Sequence, residues 1–167
     1  IITSGGGGCI VTQNKGLYKK AKHITTTSKS SSNWEYFHDQ IGYNYRMPNL
    51  NAALALAQIE QIDQKILSKK SLYRLYQENL PPLGLELIPI PHNTSWNYWL
   101  MSIKLSNKKE RDDFLLETNN QKVFTRPIWR LLFKLPMYRH CQKDSQKNAR
   151  FLEKTVVNIP SNLRTYE

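Results

Sequence analysis

At 167 residues the chain has room for one hydrophobic core of ordinary size, and its formal net charge of +11 marks it as strongly basic. Lys and Arg outnumber Asp and Glu 10 to 5 in residues 1–83 and 14 to 8 in residues 84–167, an even spread without a charged tail. Two cysteines in no Cys-x-x-Cys motif, Cys9 and Cys141, support neither a disulfide framework nor a zinc site, and no apolar run approaches the roughly eighteen residues of a membrane span.

The chain opens on Ile1 rather than Met and runs into four consecutive glycines, Gly5 to Gly8, which reads as a fragment. The glycines permit a tight turn or close approach of a phosphate, but neither a Walker loop nor a dinucleotide fingerprint follows. Cys9 to Thr12 reads as a short buried strand. Asn14 is placed to cap a basic helix from Lys15 to about Lys22. Residues 23–37 form a Ser/Thr-rich connection expected to be anchored at Trp34, Tyr36 and Phe37. His38 and Asp39 could form an acid–base pair, although adjacent side chains seldom do, and a structural histidine is favoured.

The stretch from His38 to Gln58 organises the rest. A loop carrying Tyr43, Asn44, Tyr45 and Arg46 empties into a helix started by Pro48 and Asn49. Its first turns are apolar all round, which predicts their burial and a binding loop pinned at a rigid helix end. Tyr43 and Tyr45 read equally well as hydrophobic anchors, and Arg46 as a surface charge. Apolar residues at Leu56, Ile59, Ile62, Ile66, Leu67, Leu72, Tyr73 and Tyr76 extend one helix from about Asn49 to Asn79, stopped by Pro81-Pro82. The lysines of residues 65–70 read as its solvated face.

Residues 83–90 and 96–105 read as strands, the first an edge strand because of Pro89. A helix from Asn107 to about Glu117 and a strand over 121–125 complete a β-β-α-β layer, an α+β arrangement. Asn97 could face a ligand, with Tyr98 and Trp99 assigned to sheet packing. Thr125 to Arg130 is a proline-stiffened loop with two guanidinium groups beside an indole. Arginine suits phosphate or carboxylate and Trp129 a sugar or base, while Trp129 as core plug and Arg130 as surface charge is the competing reading. Phe133, Leu135, Met137 and Tyr138 read as packing residues. A last helix spans 144–157, burying Phe151, Leu152 and Val156.

The run Ile41-Gly42-Tyr43-Asn44-Tyr45-Arg46-Met47-Pro48-Asn49-Leu50-Asn51-Ala52-Ala53, followed by Ala57-Gln58-Ile59-Glu60-Gln61-Ile62-Asp63, closely resembles the DegT/StrS family of pyridoxal-phosphate-dependent nucleotide-sugar aminotransferases. Ile1 to Gly8, Asn97-Tyr98-Trp99-Leu100, Thr125 to Trp129 and Ile159-Pro160-Ser161 match in the same order. Within the family the chain looks most like the branch acting on amino sugars of the legionaminic-acid and bacillosamine type. The resemblance implies the C-terminal part of a fold-type I aminotransferase, an α/β protein with an α+β small domain. Residues 1–48 would be a remnant of the large cofactor-binding domain, 49–80 a long linking helix, and 81–167 the small domain.

The same resemblance implies an amino group moved, from glutamate, to a nucleotide-linked 4-keto-6-deoxy sugar by a cytoplasmic homodimer with shared active sites. The lysine that forms the Schiff base would lie just before Ile1, so no catalytic residue and no metal site is expected in this chain, which alone would be inactive. Asn44 inherits the asparagine that reaches the cofactor phosphate of the neighbouring subunit. Tyr45 and Arg46 would touch that phosphate or the donor carboxylate, and Arg126 and Trp129 the nucleotide sugar. After Trp129 the wording Arg-Leu-Leu-Phe departs from the Pro-Leu-His of relatives, which bears on the sugar. Two alternatives stand beside this: a basic nucleic-acid-binding module, and a same-family sugar dehydratase with histidine in place of the lysine.

Overall fold

The computed structural model describes residues 1–32 and 34–163; Asn33, within the predicted 23–37 connection, and residues 164–167 lie outside them. The chain divides into two compact units, residues 2–62 and residues 63–167 together with Ile1.

In the first unit Asn14 caps helix α1 (Lys15–Thr25), its Oδ1 accepting from the N–H groups of Gly16 and Leu17 at 2.9 and 3.1 Å. After α1 the chain turns sharply. Segment 37–46 lies antiparallel to residues 24–30, with bridges Thr26–Asn44 and Lys29–His38. Helix α2 (Asn49–Glu60) follows Pro48.

Several expectations are corrected here. Cys9 to Thr12 is not a strand, and Ile10 and Val11 are exposed; among the described residues no segment pairs with it. Trp34, Tyr36 and Phe37 are exposed as well. Polar stitches hold the turn instead, helped by the Lys29 ammonium 4.0 Å from the Tyr36 ring. The start of α2 is also uncovered, with Leu50 86% exposed and Leu54, Leu56 and Ile59 exposed too. An all-round apolar helix needs neighbours on every side, and among the described residues of this unit these side chains are left exposed.

Helix α3 (Ile62–Asn79) belongs to the predicted single helix of 49–79, but the helical run breaks at Gln61, whose ψ of 6° ends α2. Pro81-Pro82 stops α3 as expected, in a short 3-10 turn closed by Gly84 at φ 74°.

The second unit is helices around a small antiparallel sheet. Strands β1 (Glu86–Leu87), β2 (Met101–Lys104), β3 (Arg126–Pro127) and β4 (Val156–Ile159) are ordered β1-β2-β4-β3. Helix α4 (Lys108–Asn120) is capped by Asn107, whose Oδ1 accepts from the Glu110 N–H at 3.0 Å, and α5 (Lys147–Thr155) runs directly into β4. β4 is one of the two inner strands, with β2, and it begins where the sequence predicts the end of a helix. Val156, Val157 and Ile159 are buried, while Phe151 and Leu152, the expected helical contacts, are exposed. The helix gives way to strand between Thr155 and Val156 without a loop, and the strand's burial does not alternate, so periodicity gave no warning.

The predicted strands are shorter than expected. Tyr98 sits at φ 57°, which turns the chain and delays β2 to Met101, and β1 keeps two residues of 83–90. The strand predicted at 121–125 lies instead at Arg126–Pro127. In β2 the pattern alternates, Met101 and Ile103 pointing inward, and they join Val157, Ile159, Leu105, Tyr73 and Tyr98 as the core. Burying each of the larger aliphatic side chains contributes about 2 kcal/mol. Tyr73 of α3 meets Tyr98 at 5.5 Å and Trp96 edge-on at 5.6 Å. Phe133 and Leu135 are half-buried, but Met137 and Tyr138 are exposed rather than packed.

Candidate functional site

Each unit holds a candidate site. In the first, Asn44 bridges Thr26, and hydrogen bonds from the Thr27 N–H to the Tyr43 carbonyl (3.0 Å), Tyr43 to Ile24 (2.7 Å) and Tyr45 to Thr25 (2.9 Å) stitch the loop to the end of α1. These bonds, rather than a buried α2, hold the 37–46 loop. Tyr43 and Tyr45 stack on each other at 5.2 Å with an 11° interplanar angle and remain exposed, so they are not anchors in a core.

Arg46 donates from Nη1 to Asn44 Oδ1 at 3.1 Å and from Nη2 to the Thr26 carbonyl at 3.2 Å. A guanidinium only donates, so it fixes the amide with oxygen toward Arg46 and leaves the Asn44 Nδ2 hydrogens to donate elsewhere. Asn44 is exposed. An oriented, uncharged N–H donor beside a cation fits a phosphate.

Sequence reasoning missed the hinge under this loop. Thr27 and Ser28 have φ of 74° and 51°, and Ser28 is fully buried beneath Gly42. A left-handed β-branched residue is strained, and it persists here because several contacts fix it. His38 Nδ1 donates to the Thr27 carbonyl at 2.7 Å, Asp39 N–H to the Ser28 carbonyl at 3.2 Å, and His23 Nε2 meets Asp39 Oδ1 at 2.6 Å. His38 is structural, and Asp39 pairs with His23 instead of its neighbour. Tyr45, Arg46 and Met47 also face Gly6, Gly7 and Asn51 across a cleft of about 780 Å³. There the glycine run forms a turn tied by Asn51 Nδ2 to the Ser4 carbonyl at 2.6 Å, with Gly7 at φ 107°.

In the second unit Arg126 and Trp129 lie along one cleft, of about 920 Å³, with Trp99, Lys122, Asn158 and Ser161. Arg126 is held by pairing with Asn158 across β3 and β4. Trp129 is 68% exposed and therefore no core plug; its ring faces Trp99 at 6.2 Å and 44°. Trp99 is likewise exposed rather than packed on the sheet, whereas Tyr98 is buried as expected. Two indoles and two cations lining one cleft suit a flat, anionic ligand. Trp99 was assigned to sheet packing, and Asn158, just past the predicted end of the last helix, was given no role; its place in this cleft depends on the pairing of β4 with β3.

Among the described residues no group of three or more His, Cys, Asp or Glu side chains could hold a metal ion, and no helix is long and apolar enough to cross a membrane. Cys9 and Cys141 are free and exposed.

The chain matches the family model of the DegT/DnrJ/EryC1/StrS aminotransferases over residues 1–166. It is 34% identical over 162 residues to the GDP-perosamine synthase of Escherichia coli O157:H7 (96% of this chain, 43% of that protein) and 31% identical over 163 residues to that of Vibrio cholerae (96% and 44%). Its fold is similar to the sugar aminotransferase CalS13 of Micromonospora echinospora, at a TM-score of 0.83 and 18% identity (99% of this chain, 45% of that one). The Spr1654 protein of Streptococcus pneumoniae in its PLP-form aligns at a TM-score of 0.77 and 17% identity (96% and 42%). The chain thus spans less than half the length of these relatives. Its architecture is that of the C-terminal small domain of a fold-type I pyridoxal-phosphate-dependent aminotransferase, helices with a small antiparallel sheet. Sequence motifs, fold and family match agree: this chain belongs to the DegT/DnrJ/EryC1/StrS aminotransferase family.

Proposed function

We propose that the protein containing this chain transfers an amino group from glutamate to the ketone of a nucleotide-linked 4-keto-6-deoxy sugar, using pyridoxal phosphate. The observation that carries this reading is the Arg126–Trp129–Trp99 cleft in a chain of this family. Residues 1–48 would belong to the large cofactor domain, 49–80 to the linker and 81–167 to the small domain. The exposed apolar surface of α2 supports a homodimer with shared active sites.

Bound pyridoxal phosphate supplies the carbonyl and electron sink that let nitrogen leave glutamate and enter the ketone. Asn44 Nδ2 would donate to its phosphate, with Arg46 setting the amide. Tyr45 and Arg46 border the adjacent cleft, where a donor carboxylate would meet a guanidinium. Arg126 and Lys122 would pair with the nucleotide's diphosphate, and Trp129 and Trp99 would cover its base or sugar. The field of a chain at +11 favours such an anion.

Two results follow. Arg46→Ala in the whole enzyme raises the KM for glutamate about tenfold, the worth of one charge-assisted contact, in steady-state kinetics; an unchanged KM would reject the role. Trp129→Ala raises the KM for the nucleotide sugar about tenfold and leaves that for glutamate alone. At the sugar, the legionaminic-acid and bacillosamine branch is the finer reading. The GDP-perosamine synthase relatives favour a GDP-linked substrate. Competition by free GDP and UDP against turnover separates them by nucleotide.

A further inference from the structure

Lys69 lies in the lysine run that reads as solvated, yet it is 5% exposed. Its ammonium donates to the Ser161 carbonyl, and among the described residues no carboxylate pairs with it. Burial holds its pKa below the usual lysine value. A buried ammonium on a single carbonyl is an expensive way to fasten a strand, which asks for a reason beyond packing.

The reason lies in what Ser161 touches. β2 and β4 pair as far as Met101 and Ile159. Beyond that rung the backbone ladder stops, because Tyr98 turns the chain at φ 57°. Ser161 continues it with its side chain, donating from Oγ to the Trp99 carbonyl at 2.8 Å. One residue earlier the Pro160 carbonyl accepts from the Tyr76 hydroxyl at 2.8 Å. Lys69, Tyr73 and Tyr76 are spaced by four and three residues, one stripe of α3. Its middle member packs on Tyr98 while its outer members grip carbonyls 161 and 160. The wall of the cleft that carries Trp99 is thus held through Ser161 by α3.

We infer that Lys69 is a positioning residue: through Ser161 it sets Trp99 against Trp129 and so tunes the cleft for its aromatic, anionic ligand. The ligand assignment rests on the proposed function, whereas the geometry of the indole pair does not. Two facing indoles couple in near-ultraviolet circular dichroism, and subtracting the Trp129→Phe spectrum from the parent isolates that signal in the full-length enzyme.

In a Lys69→Met background the difference signal falls by more than half, and it persists with Lys69→Arg, which keeps the charge and the donor. The KM for the nucleotide sugar rises about fivefold in Lys69→Met while that for glutamate stays put, a split that a general loss of stability would not produce. An unchanged difference signal in folded Lys69→Met overturns the inference. Should that variant not fold, Ser161→Ala decides, since it cuts the tie on the Trp99 side: loss of the signal supports the inference and retention ends it. If instead Trp129→Ala leaves the sugar KM untouched, the ligand assignment fails while the positioning role of Lys69 still stands or falls on the difference signal.

Discussion

Gly42→Ala releases the 37–46 loop. A Cβ at Gly42 would stand 2.5 Å from Ser28 Oγ and from the Thr27 carbonyl carbon, and 2.6 Å from the Ser28 nitrogen. Two of these are backbone atoms already held at positive φ, so no side-chain rotation relieves the clash. The expected cost is about 3 kcal/mol, concentrated in the 37–46 segment. At 1.4 kcal/mol per decade, that is a roughly hundredfold faster hydrogen exchange at the Tyr43 and Tyr45 amides, which donate to Ile24 and Thr25. Gly6→Ala is the control, because nothing lies within 4 Å of its Cβ. Unaltered exchange in Gly42→Ala would mean that the loop is not held by this close approach.

The second large effect is at Asn44. Asn44→Asp keeps the size of the side chain but turns the amide donor into an acceptor with a negative charge. Facing a phosphate dianion, that substitution would cost several kcal/mol at close range, and the neighbouring Arg46 guanidinium offsets part of it. The net expectation is a cofactor dissociation constant raised about thirtyfold, or about 2 kcal/mol, read by titrating the apo enzyme with pyridoxal phosphate. The effect shrinks in high salt if it is electrostatic. An affinity within twofold of the parent would place the phosphate elsewhere.

Features carried by a local rule were legible. Asn14 and Asn107 announce their helices because a short side chain accepting two or three residues ahead needs nothing else from the fold. Pro81-Pro82 stops α3 for an equally local reason. The Tyr-Asn-Tyr-Arg loop and the Arg126–Trp129 pair were singled out by residue chemistry and motif, and their roles are proposals. What stayed hidden depends on partners distant in sequence. Val156 to Ile159 is an inner strand only because β2 and β3 flank it, and a four-residue strand fused to a helix has no period of its own. Lys69 looks like any helix-surface lysine until the carbonyl of Ser161, ninety-two residues away, accepts from its ammonium. The start of α2 was expected to be buried and the aromatics of 34–37 to anchor their connection on hydrophobicity alone, and Leu50, Trp34, Tyr36 and Phe37 are exposed.

The central claim is that the Asn44 loop and the Arg126–Trp129 cleft serve one amino-transfer reaction. Its most direct test is the two half-reactions of the full-length protein loaded with pyridoxal phosphate, followed by the visible absorbance of the cofactor. Glutamate should bleach that absorbance, and a nucleotide-linked 4-keto-6-deoxy sugar should restore it with formation of the amino sugar. A protein that binds the cofactor and the sugar but shows no bleaching with glutamate and yields no aminated product would contradict the account.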